Sequence, residues 1–344
     1  MKSLIFTMLM SFLLGLCACD SAFTVSRATG IAYEVIVVMD KIAWDGTTGT
    51  AVKEELTSPV PYLPQSESSM RITYVRPDQF DGMMKYVRNV LIVNIDKNIY
   101  TKVSLLKETD KWAKGQAVIY LNAPDGESIE TFLADNQRVL VEQYTKEEMK
   151  RARDLLHEKY SSVVMEKVKN KLGITLYAPE DMTASSNDSI DCLWFSNNAV
   201  KGRMDLIIYS FPFTDPNTFT LEYLVDKRDS VVKYTIPGSF PGSYMSTEKR
   251  VVDYFASTLQ GKYCGIVRGL WRMEGDMMGG PFVSYARVDE KNKRVIVTEG
   301  FVYEPAKEKK NYIRRLEATL QTMRLPDEQD SKQAEIAEEE KKNE

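Results

Sequence analysis

The chain has 344 residues, 43% of them apolar and 27% charged, with 45 Lys and Arg against 49 Asp and Glu and a formal net charge of −4. Such a composition is that of an ordinary globular protein with a real core, and its slight acidity and dispersed cations exclude the basic face that nucleic-acid binding needs. The single histidine, His157, rules out metal sites built on two or three imidazoles and leaves any Ser-His-Asp or Cys-His arrangement one residue to use.

The first element is a leader. Lys2 gives a positive start, and Leu4 to Leu14 is apolar apart from Thr7 and Ser11. That run is shorter than the ~20 residues a membrane-spanning helix requires and has the layout of a secretory signal. Leu16-Cys17-Ala18-Cys19 resembles a bacterial lipobox, which implies that residues 1–18 are removed and that Cys19 becomes the lipidated first residue. A signal cleaved without lipidation and an uncleaved membrane helix are the alternatives to it. Residues 19–30 then read as a polar tether. Lipid attachment implies stable anchoring, because several acyl chains hold where one is marginal.

Residues 31–172 read as a first α+β segment. Tyr33 to Met39 is a β-branched run expected to form a buried strand. A short helix through Val52 and Leu56 follows, with Asp45 or Thr47 as its cap. Pro59-Val60-Pro61-Tyr62-Leu63-Pro64 must be extended, because each proline disfavours the helical region for its predecessor. Met70 to Val75 is the next strand. Phe80, Met83, Met84 and Val87 are spaced for a helix opening at Pro77, and Asn89 to Ile95 returns as a strand. Strands are expected around Ile99–Leu106 and Gln116–Leu121. Pro124-Asp125-Gly126 turns the chain into two long helices, Glu127–Tyr144 and a second begun by the capping box Thr145-Lys146-Glu147-Glu148 and ended near Gly173.

The second α+β segment covers residues 173–325. Strands are expected at Ile174–Tyr177, Cys192–Phe195, Met204–Phe211, Val251–Ala256, Tyr263–Met273, Phe282–Val288 and Arg294–Tyr303, with a hairpin at Asp289 to Asn292. Helices fall at Phe219–Tyr234 and Lys307–Met323. The fold class is therefore α+β: two mixed or antiparallel sheet-and-helix segments joined by a long helical pair, either a diverged duplication or two unrelated halves. Residues 326–344 are acidic and lysine-rich and are expected to be a disordered tail.

Chemistry is sparse. Glycine-rich phosphate loops are absent, and His157 sits on a charged helix with no nucleophile elbow for company. Cys192 and Cys264 are either a disulfide, given an oxidising envelope, or two buried unpaired thiols, the reading preferred here. Neither has metal-ligand spacing, so no metal and no cofactor is expected. Two loops are unusual: Ile236 to Met245, with two Pro-Gly turns displaying Phe240 and Tyr244, and Gly269 to Phe282, with Trp271, Arg272, Met277 and Met278. Aromatic, Arg and Met side chains are enriched at interfaces, so these six are the candidate binding surface; hairpin turns whose aromatic groups tuck into the core are the competing reading. Glu274 and Asp276 are the candidate acids of a carboxylate hydrolase.

The lipobox, the segment from Arg76-Pro77 to Asn94, the double Pro-Gly loop and Gly269 to Phe282 together resemble a family of Bacteroidetes envelope lipoproteins of unknown function. The resemblance implies a palmitate-bearing envelope lipoprotein, and the single acid after Cys19, Asp20, implies that it faces the periplasm from the outer membrane. It brings no catalytic residues. The expected role is a non-catalytic module binding an envelope protein or small ligand, with membrane attachment through the lipid and no nucleic-acid partner; an envelope hydrolase is the alternative.

Overall fold

The computed structural model describes residues 26–186 and 192–329; the signal, Cys19 and the tail from residue 330 lie outside the described residues. Two compact units are formed, one from residues up to 41 with 73–124, the other from 42–72 with 125 onward. The fold is α+β, with one mixed and one antiparallel sheet.

The first unit carries β1 (Glu34–Val38), β2 (Arg71–Val75), β3 (Asn89–Ile95), β4 (Ser104–Thr109) and β5 (Ala117–Ala123) in the order β2-β1-β3-β5-β4. β1, β3 and β5 pair in parallel and β4 is antiparallel to β5. Parallel strands are covered on both faces and so read as continuous apolar runs; Val35, Val37, Val90, Leu91, Val118 and Leu121 are all fully buried. The polar residues of these strands are matched, as Asn94 Nδ2 donates to Asn122 Oδ1 at 2.8 Å across the ladder. The helix expected from Pro77 is two 3-10 turns, Pro77–Gln79 and Gly82–Tyr86. Gly82 has φ +56°, a left-handed step that breaks the helix and leaves Met83 exposed.

The second unit holds α1 (Thr47–Thr57), α2 (Gly126–Asp135), α3 (Val139–Glu158), α4 (Ser162–Leu172), α5 (Leu221–Thr235) and α6 (Lys310–Leu320). Its strands are β6 (Ala184–Ser186), β7 (Cys192–Ser196), β8 (Arg203–Pro212), β9 (Tyr244–Leu259), β10 (Lys262–Glu274), β11 (Gly279–Asp289) and β12 (Arg294–Tyr303), an antiparallel sheet ordered β6-β7-β8-β12-β11-β10-β9. Alternation along these strands sends residues to opposite faces. Leu206, Ile208, Ile266 and Ile296 pack with Val164 and Val168 of α4 and Leu316 and Leu320 of α6. Ile207, Tyr209, Val267 and Val297 pack with Leu224, Val225 and Val232 of α5. Gly300 lets α6 approach, because a Cβ there would lie 2.7 Å from Leu316 Cβ.

Several expectations are corrected. Ile174–Tyr177 makes only the isolated bridge from Thr175 to Arg324. Glu127–Tyr144 is not one helix: α2 stops at Asp135, Arg138 takes φ +66°, and α3 runs straight through Thr145, so the capping box starts nothing. The helical pair is thus three helices, α2 to α4, all within the second unit. Neither Asp45 nor Thr47 caps α1; its N-cap is Gly46, and Thr47 Oγ1 donates instead to Glu130 Oε1 at 2.7 Å. A parallel-centred sheet and an antiparallel one share no strand order, so a diverged duplication does not describe them. Residues 326–329, read from the sequence as the start of the tail, form a helical turn in which Glu328 pairs with buried Arg287 and Asp327 with Lys262.

On the α5 face, Arg228 and Glu299 are both buried, with Arg228 Nε 2.9 Å from Glu299 Oε2 and Nη1 2.8 Å from Thr247 Oγ1. Removing one member strands the other charge in an apolar layer. Glu299→Leu should therefore cost about 3–5 kcal/mol in urea unfolding, while Arg228→Met with Glu299→Leu should cost clearly less than the single change.

Candidate functional site

The site begins with the proline-spaced strap between α1 and β2. Its extended course is interrupted at Tyr62, where φ is +59°, and it is closed on itself by the bridge from Pro59 to Ser68. Two buried glutamates flank it. Glu55 accepts from the backbone N–H of Arg138 at 2.8 Å and of Leu140 at 2.9 Å. Glu67 accepts from the N–H of Lys309 at 2.7 Å and of Lys310 at 2.8 Å. The opening N–H groups of α3 and α6 are thereby satisfied by carboxylates from a distant segment, which also suit the positive end of a helix dipole.

α3, α6, the strap and β9 to β11 enclose a cavity of about 540 Å³ within the second unit, a usual size for a small-molecule site. α3 contributes Val141, Glu142, Thr145, Lys146, Met149 and Arg153, a single helical face. α6 adds Ile313, Arg314, Glu317 and Gln321; the strap adds Val60 to Leu63; the sheet adds Phe255, Arg268 and Pro281 to Val283. Five cationic side chains thus face two carboxylates, counting Arg138 at the entrance of α3.

The cations differ in their partners. Arg268 pairs with Glu317, which also accepts from Tyr285 Oη at 2.9 Å. Arg314 Nη1 donates to Ser69 O at 3.0 Å. Arg138 reaches neutral acceptors only: Ser58 Oγ and Pro59 O at 3.0 Å and Ser69 Oγ at 3.3 Å. Arg153 donates to Gln321. Neither Arg138 nor Arg153 has a carboxylate partner among the described residues. Thr145 Oγ1 is a buried hydroxyl without a hydrogen bond. Tyr62 Oη donates to Asp253 Oδ2 at 2.8 Å, and burial, then this carboxylate, pushes its pKa up to about 12. It remains a neutral donor at physiological pH.

The residues singled out from the sequence lie elsewhere. Trp271 is 3% exposed, stacked edge-on with Phe301 at 5.7 Å and donating from Nε1 to Val302 O at 3.2 Å. It is a core residue, and Gly280 beside it makes room, since a Cβ there would come within 2.1 Å of Val302 O. Met278 packs against the same core. Arg272 is engaged by Glu274 at 2.6 Å. Phe240 and Met277 are exposed, at 61% and 100%, and their loops do meet, through Ser239 N to Asp276 Oδ2 at 2.8 Å. Tyr244 is half-buried under Lys233 Nζ, 4.8 Å from its ring. Glu274 also accepts from Ser246 Oγ, and Asp276 also accepts from Met277 N, so these acids tie turns together.

Cys192 and Cys264 are free and buried, in clusters on opposite faces of the sheet, which rules out the disulfide. Burial raises their pKa to about 11 and about 12. His157 lies edge-on to Tyr177 at 4.3 Å. No group of three or more metal-ligating side chains occurs among the described residues.

Residues 161–322 match the model named Domain of unknown function (DUF4837), and residues 28–157 match Domain of unknown function (DUF8532). The matched families are uncharacterised. Both contribute to the cavity, the strap and α3 from one, the sheet and α6 from the other. No curated protein matches the chain. Solved structures with partial likeness include the Ran-binding protein Mog1p of Saccharomyces cerevisiae, at 9% identity and TM-score 0.30 over 44% of this chain and 90% of that one. A Bacteroides thetaiotaomicron protein is 10% identical at TM-score 0.19 over 44% of each chain. The lipid transfer and protein localization domain of human StarD13 is 5% identical at TM-score 0.21 over 47% of this chain and 98% of that one. Overlap this weak carries no argument.

Two outcomes follow from these placements. Trp271→Ala should lose about 3–5 kcal/mol of stability in chemical unfolding, whereas Phe240→Ala should stay within about 0.5 kcal/mol. Iodoacetamide at pH 8, read by peptide mapping, should leave Cys192 and Cys264 unlabelled in the native chain, where thiolate is scarce, and label both after unfolding.

Proposed function

We propose that this is a lipid-anchored envelope protein whose second unit is a non-catalytic binding module for a small anionic ligand. The observation that carries the reading is the cavity wall in which Arg138 and Arg153 have, among the described residues, only neutral partners. Both arginines are half-buried, and an anionic ligand would meet their guanidinium groups with charge-assisted hydrogen bonds that their neutral partners do not supply. The anchor rests on the resemblance of the leader to a lipobox ending at Cys19.

The hydrolase reading finds less support. It needs two carboxylates facing across a cleft. In the cavity Glu317 is committed to Arg268 and Tyr285, and Glu142, the other lining carboxylate, is exposed to solvent. Glu274 and Asp276 are committed to Arg272, Ser246 and backbone N–H groups.

The test has two parts. Titration with an anilinonaphthalene sulfonate dye should give saturable fluorescence that weakens with salt, and Arg138→Gln with Arg153→Gln should weaken it about tenfold or more. A doubly substituted chain that folds and binds the dye as tightly as the native one would overturn the anionic site. Labelling with radioactive palmitate should mark the native chain and fail on Cys19→Ala; label retained by that variant would overturn the anchor.

A further inference from the structure

We propose that the ligand is an elongated amphiphilic anion, with one acid head at the Arg153 end of the cavity and a hydrocarbon body lying along α3 towards Arg138. This deepens the reading of the cavity as an anion site and rests on it.

The cavity is long. Arg138 and Arg153 stand at the two ends of the α3 face that lines it, about 22 Å apart at 1.5 Å per residue. Its ends are unlike. At the Arg138 end three of the five guanidinium N–H donors go to Ser58, Pro59 and Ser69 and hold the strap, so fewer remain for a ligand. At the other end Arg153 has, among the described residues, Gln321 as its one side-chain partner, leaving further N–H donors of a five-donor group for a ligand. Gln321 leads to Tyr285 Oη at 3.4 Å, and Tyr285 to Glu317 and so to Arg268, so this end is a connected polar patch with two guanidinium groups and one carboxylate. One negative charge would balance it.

Between the ends the wall is mainly apolar, with Val141, Met149, Val283 and Ile313 around the unpartnered Thr145 hydroxyl, and Glu142, Lys146 and Arg314 lining it beside them. A small inorganic anion would leave the aliphatic part of that stretch without a partner. A peptide would set backbone N–H and C=O groups against these aliphatic side chains, which cannot satisfy them. A hydrocarbon chain asks for nothing but contact, and each buried methylene strengthens binding about fourfold.

The experiment is a calorimetric titration of the full chain carrying Cys19→Ser, below micelle-forming concentrations, with straight-chain carboxylates from butanoate to hexadecanoate. Alcohols and monoalkyl phosphates of matched length are run beside them. Affinity should rise about fourfold per methylene and then level off as the cavity fills. Acids or phosphates should bind at least tenfold tighter than alcohols, the stronger of the two naming the head group. Arg153→Gln should erase that preference and keep the dependence on length. Anions that bind with no dependence on length would overturn the amphiphile and leave the anion site standing. Alcohols binding as tightly as acids would overturn the anion site itself, and no binding by any probe would overturn both.

Discussion

Two carboxylates hold the second unit in its working shape. Glu55 and Glu67 stand at either end of the strap, and each closes the open N–H groups of a helix that belongs to a different part of the chain. Buried helix ends need such partners, because an unsatisfied N–H away from water costs about as much as a lost hydrogen bond. With these caps in place α3 starts at the left-handed residue Arg138 and α6 starts at Lys310, facing each other across the strap. Arg138, Lys310 and Arg314 also donate to strap oxygens at Ser58, Pro59, Ser68 and Ser69, so the same segment is the acceptor in both sets of bonds.

Much of the fold was legible because it is local. β3 falls on Asn89–Ile95, where a buried parallel strand shows as an apolar run, and the turn after Asp289 joins β11 to β12. α5 begins where Thr220 caps it and α4 ends at Gly173 in the left-handed conformation that glycine permits. The start of α3 was not legible, because its cap is 85 residues upstream and no local pattern can report it. Thr145 to Glu148 has the letters of a capping box in the middle of a helix whose start was decided elsewhere.

The site itself was the least legible part. Its arginines, at positions 138, 153, 268 and 314, are scattered along the chain and form no motif. The signal that could have pointed to it is the strap, whose prolines fix an extended course between two acids. The loop around Trp271 misled for a physical reason. A tight hairpin that buries an indole over paired glycines has the same composition as a contact surface, and only the 3% exposure of Trp271 separates the two.

The caps also set a timetable. Glu67 and the N–H of Lys310 are 243 residues apart, and Glu55 and Leu140 are 85 apart. Contacts of such separation form late, after the loops between them have been closed. As the chain emerges from synthesis the strap precedes α6, so it waits, proline-stiffened, until the 243 residues from Glu67 to Lys310 have followed it. The cavity is the final product of that wait, and only a chain that has finished folding owns one.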